Sequence, residues 1–257
     1  MNITAILPVS RMQYLDRVIE SLLAQTHKPN NLLVVYDGHH SDYVEARNKI
    51  VGLDFEFVRF AESTSLTLAF SIPDRRRHIV NIHNQIRTLI GDTDYIFSIE
   101  DDGILPSDAL ERLVKTMTKN TDTGMVTGVE VGRWGVPYIG AWTVDDIADT
   151  KVITSLTSRV SEDPTVIEPI DACGLYCALI RADLYKEHEF YTENGLGPDV
   201  NLGLFMRNKG FNNYIDWGLP VTHLTRNYGE DLELTPFGPT RIVKLRLLSG
   251  STWQASN

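Results

Sequence analysis

The run Tyr95-Ile96-Phe97-Ser98-Ile99 is followed without a break by Glu100-Asp101-Asp102-Gly103. The first five residues are mostly apolar and β-forming, and they read as a buried strand. Three consecutive carboxylates at the end of such a strand repel one another and lose hydration, which raises at least one pKa unless positive charge is supplied. A divalent cation supplies it, and hard oxygen ligands suit Mg²⁺ or Mn²⁺. A solvated acidic turn, which Gly103 and Pro106 also allow, is the competing reading of the triplet alone.

The segments before the triplet predict what this strand sits in. Ile3–Val9 and Leu32–Tyr36 are two more uniformly apolar runs, and between them Leu15, Val18, Ile19, Leu22 and Leu23 recur at helical spacing over Tyr14–Leu23. Strand, helix and strand with few exposed positions make a βαβ unit, and hence an α/β fold with a mostly parallel central sheet. Further helices are expected over Ser41–Ile50, Val80–Ile90, the segment carrying Leu110, Leu113, Val114 and Met117, Asp183–His188 and Val200–Lys209. Further strands are expected over Phe55–Phe60, Met125–Val131 and Phe211–Ile215, with Val152–Arg159 and Thr165–Ile170 as a smaller antiparallel addition. Ala61–Ile79, which holds Pro73 and the run Arg75-Arg76-Arg77-His78, reads as a loop over a ligand, with a short packed element of Leu66, Leu68, Ala69 and Phe70 as the competing reading. Ile242–Leu248 is amphipathic, with Arg241, Lys244 and Arg246 between apolar positions.

A chain of 257 residues buries a full core and fits one large domain or one domain with a modest appendage. Its 24 Lys and Arg against 34 Asp and Glu give a net charge of −10, which argues against non-specific binding to nucleic acid or anionic lipid. The Arg75–His78 run keeps a locally basic groove open. Cys173 and Cys177 make neither a disulfide framework nor, alone, a zinc site, so a reducing, cytoplasmic setting is expected. The apolar N-terminus is cut short by Pro8, Ser10 and Arg11, so neither a signal peptide nor an integral membrane segment is expected.

Ligands of parallel sheets bind beyond the carboxyl ends of the strands, which brings Pro8–Arg11, Asp37-Gly38 and Glu100–Gly103 together. Asp37-Gly38 is in the first instance a turn dipeptide; an Asp at the same place also accepts from a base N–H or a ribose hydroxyl. Asp102 reads as the metal ligand and Asp101 as the ribose contact. His223 would join Asp102 as an imidazole ligand, which Mn²⁺ tolerates better than Mg²⁺ does. Asp199 opens a helix, where it is a good cap or a general base. Arg75–Arg77 is a solvated face or a diphosphate clamp, the latter through the guanidinium fork. No Walker or dinucleotide fingerprint is present.

In order along the chain, Ile6–Arg11, Ser21–Thr26 with Pro29, Val34–Gly38, Asn84–Ile96, Glu100–Asp102, Asp171–Arg181, Gly197–Leu202 and Val221–His223 resemble the nucleotide-sugar glycosyltransferases of the GT-A fold, specifically the large inverting family 2. The resemblance covers most of the first 225 residues. It implies a catalytic domain over 1–225, with a nucleotide-sugar half at 1–104 and an acceptor half at 105–225, and a C-terminal extension over 226–257. It implies donor contacts at Pro8, Ser10, Arg11, Asp37, Arg77, Asn84 and Asp101, a Mn²⁺ or Mg²⁺ ion on Asp102 and His223, and Asp199 as the general base. Trp134, Tyr138, Trp142 and Gly174 would line the acceptor side. The sequence departs from the family pattern at Tyr36, His83 and Pro198, which stand in place of a second aspartate, an arginine and an acidic neighbour of the base. The activity implied is transfer of a sugar from a nucleoside-diphosphate sugar, with uridine diphosphate sugars the commonest donors, to a hydroxyl of a glycan or other acceptor, a modified nucleobase in DNA among them. A sugar-phosphate nucleotidyltransferase and a non-catalytic nucleotide- or glycan-binding module are the rival readings.

Overall fold

The structure, a computed structural model, describes residues 1–64, 72–131, 139–147, 150–156, 163, 165–193, 196–227, 230–237, 242–247 and 252–254. The first part runs β1 (Ile3–Val9), α1 (Met12–Leu23), β2 (Asn31–Tyr36), α2 (Tyr43–Val51), β3 (Phe57–Glu62), α3 (Ile72–Leu89) and β4 (Tyr95–Ile99). It continues with β5 (Gly103–Ile104), α4 (Ala109–Lys119), β6 (Thr123–Val129), β7 (Ala141–Ile147), β8 (Thr150–Ser155), β9 (Ile167–Ile170), β10 (Ala172–Cys173) and β11 (Cys177–Arg181). The remainder is α5 (Ala182–Glu187), α6 (Pro198–Asn208), β12 (Asn212–Pro220), β13 (Thr222–Asn227), β14 (Glu230–Phe237), β15 (Ile242–Leu247) and β16 (Thr252–Gln254).

Eight strands form the central sheet in the order β3-β2-β1-β4-β11-β6-β12-β9. The β3-β2-β1-β4 half is parallel throughout, as the strand–helix–strand reading requires. Side chains along β1 alternate between faces. Ile3, Ala5, Leu7 and Val9 pack with Leu15, Val18 and Leu22 of α1, while Ile6 packs with Ile82 and Ile86 of α3 on the other side. Both faces are therefore covered, which is why β1, β2 and β4 read as unbroken apolar runs. Full burial of each Leu or Ile contributes ~1.5–3 kcal/mol.

Two features outside the parallel half shape the site. β11 runs antiparallel between β4 and β6, pairing Cys177 with Ile99, so the residues just before it lie at the carboxyl end of β4. A five-stranded antiparallel sheet, β16-β15-β14-β13-β5, is joined to the acidic turn because β13 pairs with β5, His223 opposite Gly103. A boundary at residue 225 thus falls inside β13. A third sheet, β10-β7-β8, takes up the first strand expected of the antiparallel addition as β8, while the second, Thr165–Ile170, becomes β9 at the edge of the central sheet, antiparallel to β12.

The segment read as a loop over Ala61–Ile79 differs in its second half, because Arg75–His78 lie in α3. Pro73 is the second residue of that helix and Asp74 lies in its first turn. Proline costs no hydrogen bond there and the acidic group suits the helix N-terminus, so the same residues that suggest a loop start a helix. Residues 65–71 of that segment lie outside the described residues. Helix α6 approaches β10 so closely that a Cβ on Gly203 would collide with the Asp171 carbonyl and Ala172.

Candidate functional site

The chain leaves β1 at Val9 and enters α1 at Met12, so Ser10 and Arg11 bridge strand and helix at the carboxyl edge of the sheet. Asp101 lies opposite them, almost fully buried. Its Oδ2 accepts from the Ser10 amide at 2.6 Å, the Ser10 hydroxyl at 3.0 Å and the Arg11 amide at 2.7 Å. The Arg11 Nε donates to Asp101 Oδ1 at 2.8 Å, and its Nη2 closes the second arm of the fork on the same oxygen. The Arg11 Nη1 reaches the Oδ2 of Asp102, which is fully buried. Burial works against the Arg11 charge, but Asp101 and Asp102 outweigh it and hold its pKa above the ordinary value.

β13 delivers His223 to the other side of Asp102. The Leu224 amide donates to the Asp102 carbonyl at 2.7 Å, and His223 Nε2 stands 2.9 Å from Asp102 Oδ2. His223 Nδ1 is 2.8 Å from the Val131 carbonyl, which only accepts, so that nitrogen carries a proton. Glu130 lies 3.8 Å from the same nitrogen. Burial pushes His223 down, but Glu130 and Asp102, with the Val131 carbonyl, raise it to about 9.

With the Nε2 proton displaced, these donors suit a divalent cation. A carboxylate oxygen and an imidazole nitrogen face each other, and the Val131 carbonyl fixes the ring with Nε2 towards the carboxylate, as second-shell partners of metal-bound histidines do. Asp102 and His223 would supply two ligands, and among the described residues no group of three or more His, Cys, Asp or Glu forms a metal cluster. The remaining positions would belong to phosphate oxygens and water.

Asp101 and His223 open onto a cleft of ≈ 550 Å³ that Pro8, Ser10, Arg11, Asp37, Trp142 and Gly174 also line. Asp37 follows β2 directly, and its Oδ2 meets the His78 Nε2 from α3. The Tyr176 ring forms part of the wall. Its hydroxyl donates to the Gly128 carbonyl at 2.9 Å, and a Cβ on Gly140 or Gly174 would meet the ring at 2.7 or 2.8 Å.

Three of the expected residues stand elsewhere. Arg77 projects from the outer face of α3 beside Asp74, and the cleft is met instead by Arg75 and His78, three apart on one helical face. Asn84 binds the Phe190 backbone through both ends of its amide, at 2.9 and 3.0 Å. Asp199, at the start of α6, is outside the cleft lining and accepts from the Val200 amide at 3.0 Å. Its residue keeps a part-exposed edge while protein atoms surround the carboxyl. Burial pushes that carboxyl up, against the backbone amides and the charge of Arg76. Trp134 and Tyr138 lie outside the described residues. Glu130 and Tyr176 carried no sequence signal: one follows an ordinary apolar strand and the other precedes one. For Arg75 and His78 the signal was present as helical spacing within the basic run.

Comparison with known proteins is consistent with this arrangement. The chain is 26% identical over 126 residues to a glucosyl-dolichyl phosphate glucuronosyltransferase of Haloferax volcanii, a match spanning 49% of this chain and 36% of the relative's length. Among solved structures, GalNAc-T7 with UDP, GalNAc and Mn²⁺ superposes with a TM-score of 0.62 at 10% identity, over 89% of this chain and 44% of that one. A197 from STIV superposes with a TM-score of 0.50 at 13% identity, over 100% of this chain and 99% of that one. These likenesses establish the GT-A fold. The sequence model of glycosyl transferase family 2 matches residues 6–188, from the first strand through the segment after β11, and the chain belongs to that family.

Proposed function

We propose that this protein is a metal-dependent, inverting glycosyltransferase that moves a sugar from a nucleoside-diphosphate sugar to an acceptor hydroxyl. The observation that carries the reading is the convergence of Ser10, Arg11, Asp37, Asp101 and His223 on one cleft beyond the carboxyl ends of parallel strands, with Asp102 behind them. Asp37 and His78 would hold the base, and Asp101 the ribose or the sugar. Arg11 and Arg75 present guanidinium forks, which suit a diphosphate. Asp102 and His223 would hold a divalent cation, which would supply neutralisation of the charge that develops on the departing diphosphate. Asp199 would take the proton of the acceptor hydroxyl as that oxygen attacks the anomeric carbon from the face opposite the leaving group. Trp142 and Gly174 line the end of the cleft formed by β7 and the approach to β11, where the acceptor would lie.

The bound UDP, GalNAc and Mn²⁺ of the GalNAc-T7 structure support a uridine diphosphate sugar and Mn²⁺ as the first donor and ion to try. The name of the Haloferax relative supports a sugar hydroxyl as acceptor. Among the described residues no helix is long and apolar enough to cross a membrane. The test is calorimetric titration with a panel of nucleoside diphosphates and their sugars, first with Mn²⁺ and then with EDTA. Binding of one nucleotide that EDTA abolishes is expected. Equal affinity under both conditions removes the metal from the reading, and failure of the whole panel removes the donor site.

A further inference from the structure

Asp102 Oδ2 has two claimants: His223 Nε2 at 2.9 Å on one side and Arg11 Nη1 on the other. The second arm of the Arg11 fork grips Asp101, so one guanidinium ties the two carboxylates together. The Asp102 oxygen that faces His223 Nε2 is the one that the guanidinium also holds. The guanidinium and a divalent ion repel each other at that oxygen, and the repulsion is least screened where water is excluded. The guanidinium therefore competes with the ion for Asp102.

It has somewhere to go. Arg11 lines the cleft and retains 26% of its side-chain exposure, whereas Asp101 and Asp102 are at 3% and 0%. Its fork matches two phosphate oxygens as well as it matches two carboxylates. We propose that Arg11 is an internal counterion of Asp101 and Asp102 that competes with the divalent metal and is drawn off by the donor diphosphate, so that metal and nucleotide bind cooperatively. The proposal rests on the donor-and-metal reading above. It adds that the chain keeps its own cation on the metal-binding carboxylate until the substrate arrives. Coupling of this kind is reciprocal: the nucleotide strengthens the metal by the factor by which the metal strengthens the nucleotide.

The experiment is Mn²⁺ titration, read by the electron paramagnetic resonance of free Mn²⁺, on wild-type protein and on Arg11→Gln and Arg11→Lys, each with and without UDP. Without UDP, Arg11→Gln should bind Mn²⁺ about tenfold more tightly than wild type, and the strengthening by UDP should shrink by about the same factor. Arg11→Lys keeps the charge without the fork and should fall between them. Because Arg11→Gln takes the guanidinium away from two buried carboxylates, thermal melts give a second reading: Mn²⁺ alone should raise its Tm more than it raises that of wild type. Unchanged or weaker Mn²⁺ binding by Arg11→Gln, with a normal UDP effect, overturns the counterion role and leaves the glycosyltransferase reading standing. Absence of Mn²⁺ binding in every protein, UDP included, overturns the metal site itself and the counterion role with it.

Discussion

Asp199 and His188 are ionisable residues whose settings oppose their charged forms, and each makes a measurable claim. Asp199→Asn keeps the shape at the start of α6 while removing the carboxylate proposed as the base. It is expected to lower kcat by about 10²–10⁴ with little change in donor affinity, measured as turnover against nucleotide binding. A normal kcat would take Asp199 out of the mechanism. His188 is buried among the rings of Phe190, Tyr191 and Phe205, with no hydrogen-bond partner for Nε2 among the described residues. Burial, helped by the charge of Arg87, lowers its pKa to about 4. His83, stacked on Phe190 with Nδ1 2.7 Å from the Tyr185 hydroxyl, is lowered by burial to about 4 as well. For both, the unfolded chain binds the extra proton first, so stability is intact above pH 6.5 and falls as pH drops from 6.5 towards 4. His188→Phe keeps a ring in the cluster and removes one of these protons. Urea midpoints measured across that window should show a shallower pH slope for the variant, and a parallel slope would contradict the assignment.

At the scale of elements, the parallel strands were readable because they are buried on both faces and so carry apolar residues without interruption. The antiparallel sheet at the end of the chain was not. Ile242–Leu247 alternates charged and apolar residues as a strand with one covered face does, yet amphipathicity over six residues cannot be assigned without its partner, and that partner is another short strand, β14. The Arg75–His78 run misled for a different reason, since Pro73 marks both loops and the first turn of helices. Gly203 shows what packing adds to such readings. In the sequence it is a helix-weakening residue of α6; in the structure it is the point where that helix touches β10. Gly203→Ala should therefore destabilise the protein by ~1–3 kcal/mol, despite alanine's better helix propensity, with a lowered calorimetric Tm as the readout. A raised Tm would mean that the contact yields easily.

Across the whole molecule, the carboxylates of the site could be found by eye and their neighbours could not. Asp101 and Asp102 announce themselves because charge at the end of a buried strand needs an explanation. His223 was singled out as a partner for Asp102, and the β5–β13 pairing is what brings the two side by side. Glu130, Tyr176 and the Arg11 grip on both aspartates depend on which strands lie next to one another, a property of topology rather than of local pattern. That topology also sets a schedule. Asp102 and His223 are 121 residues apart along the chain. At ribosomal rates of roughly 5–20 residues per second, about 6–24 s separate their synthesis. Throughout that interval the emerging chain holds both aspartates and Arg11 but only half of the Asp102–His223 pair, so on the proposed reading the nascent protein would have its counterion long before it had a finished place for a metal.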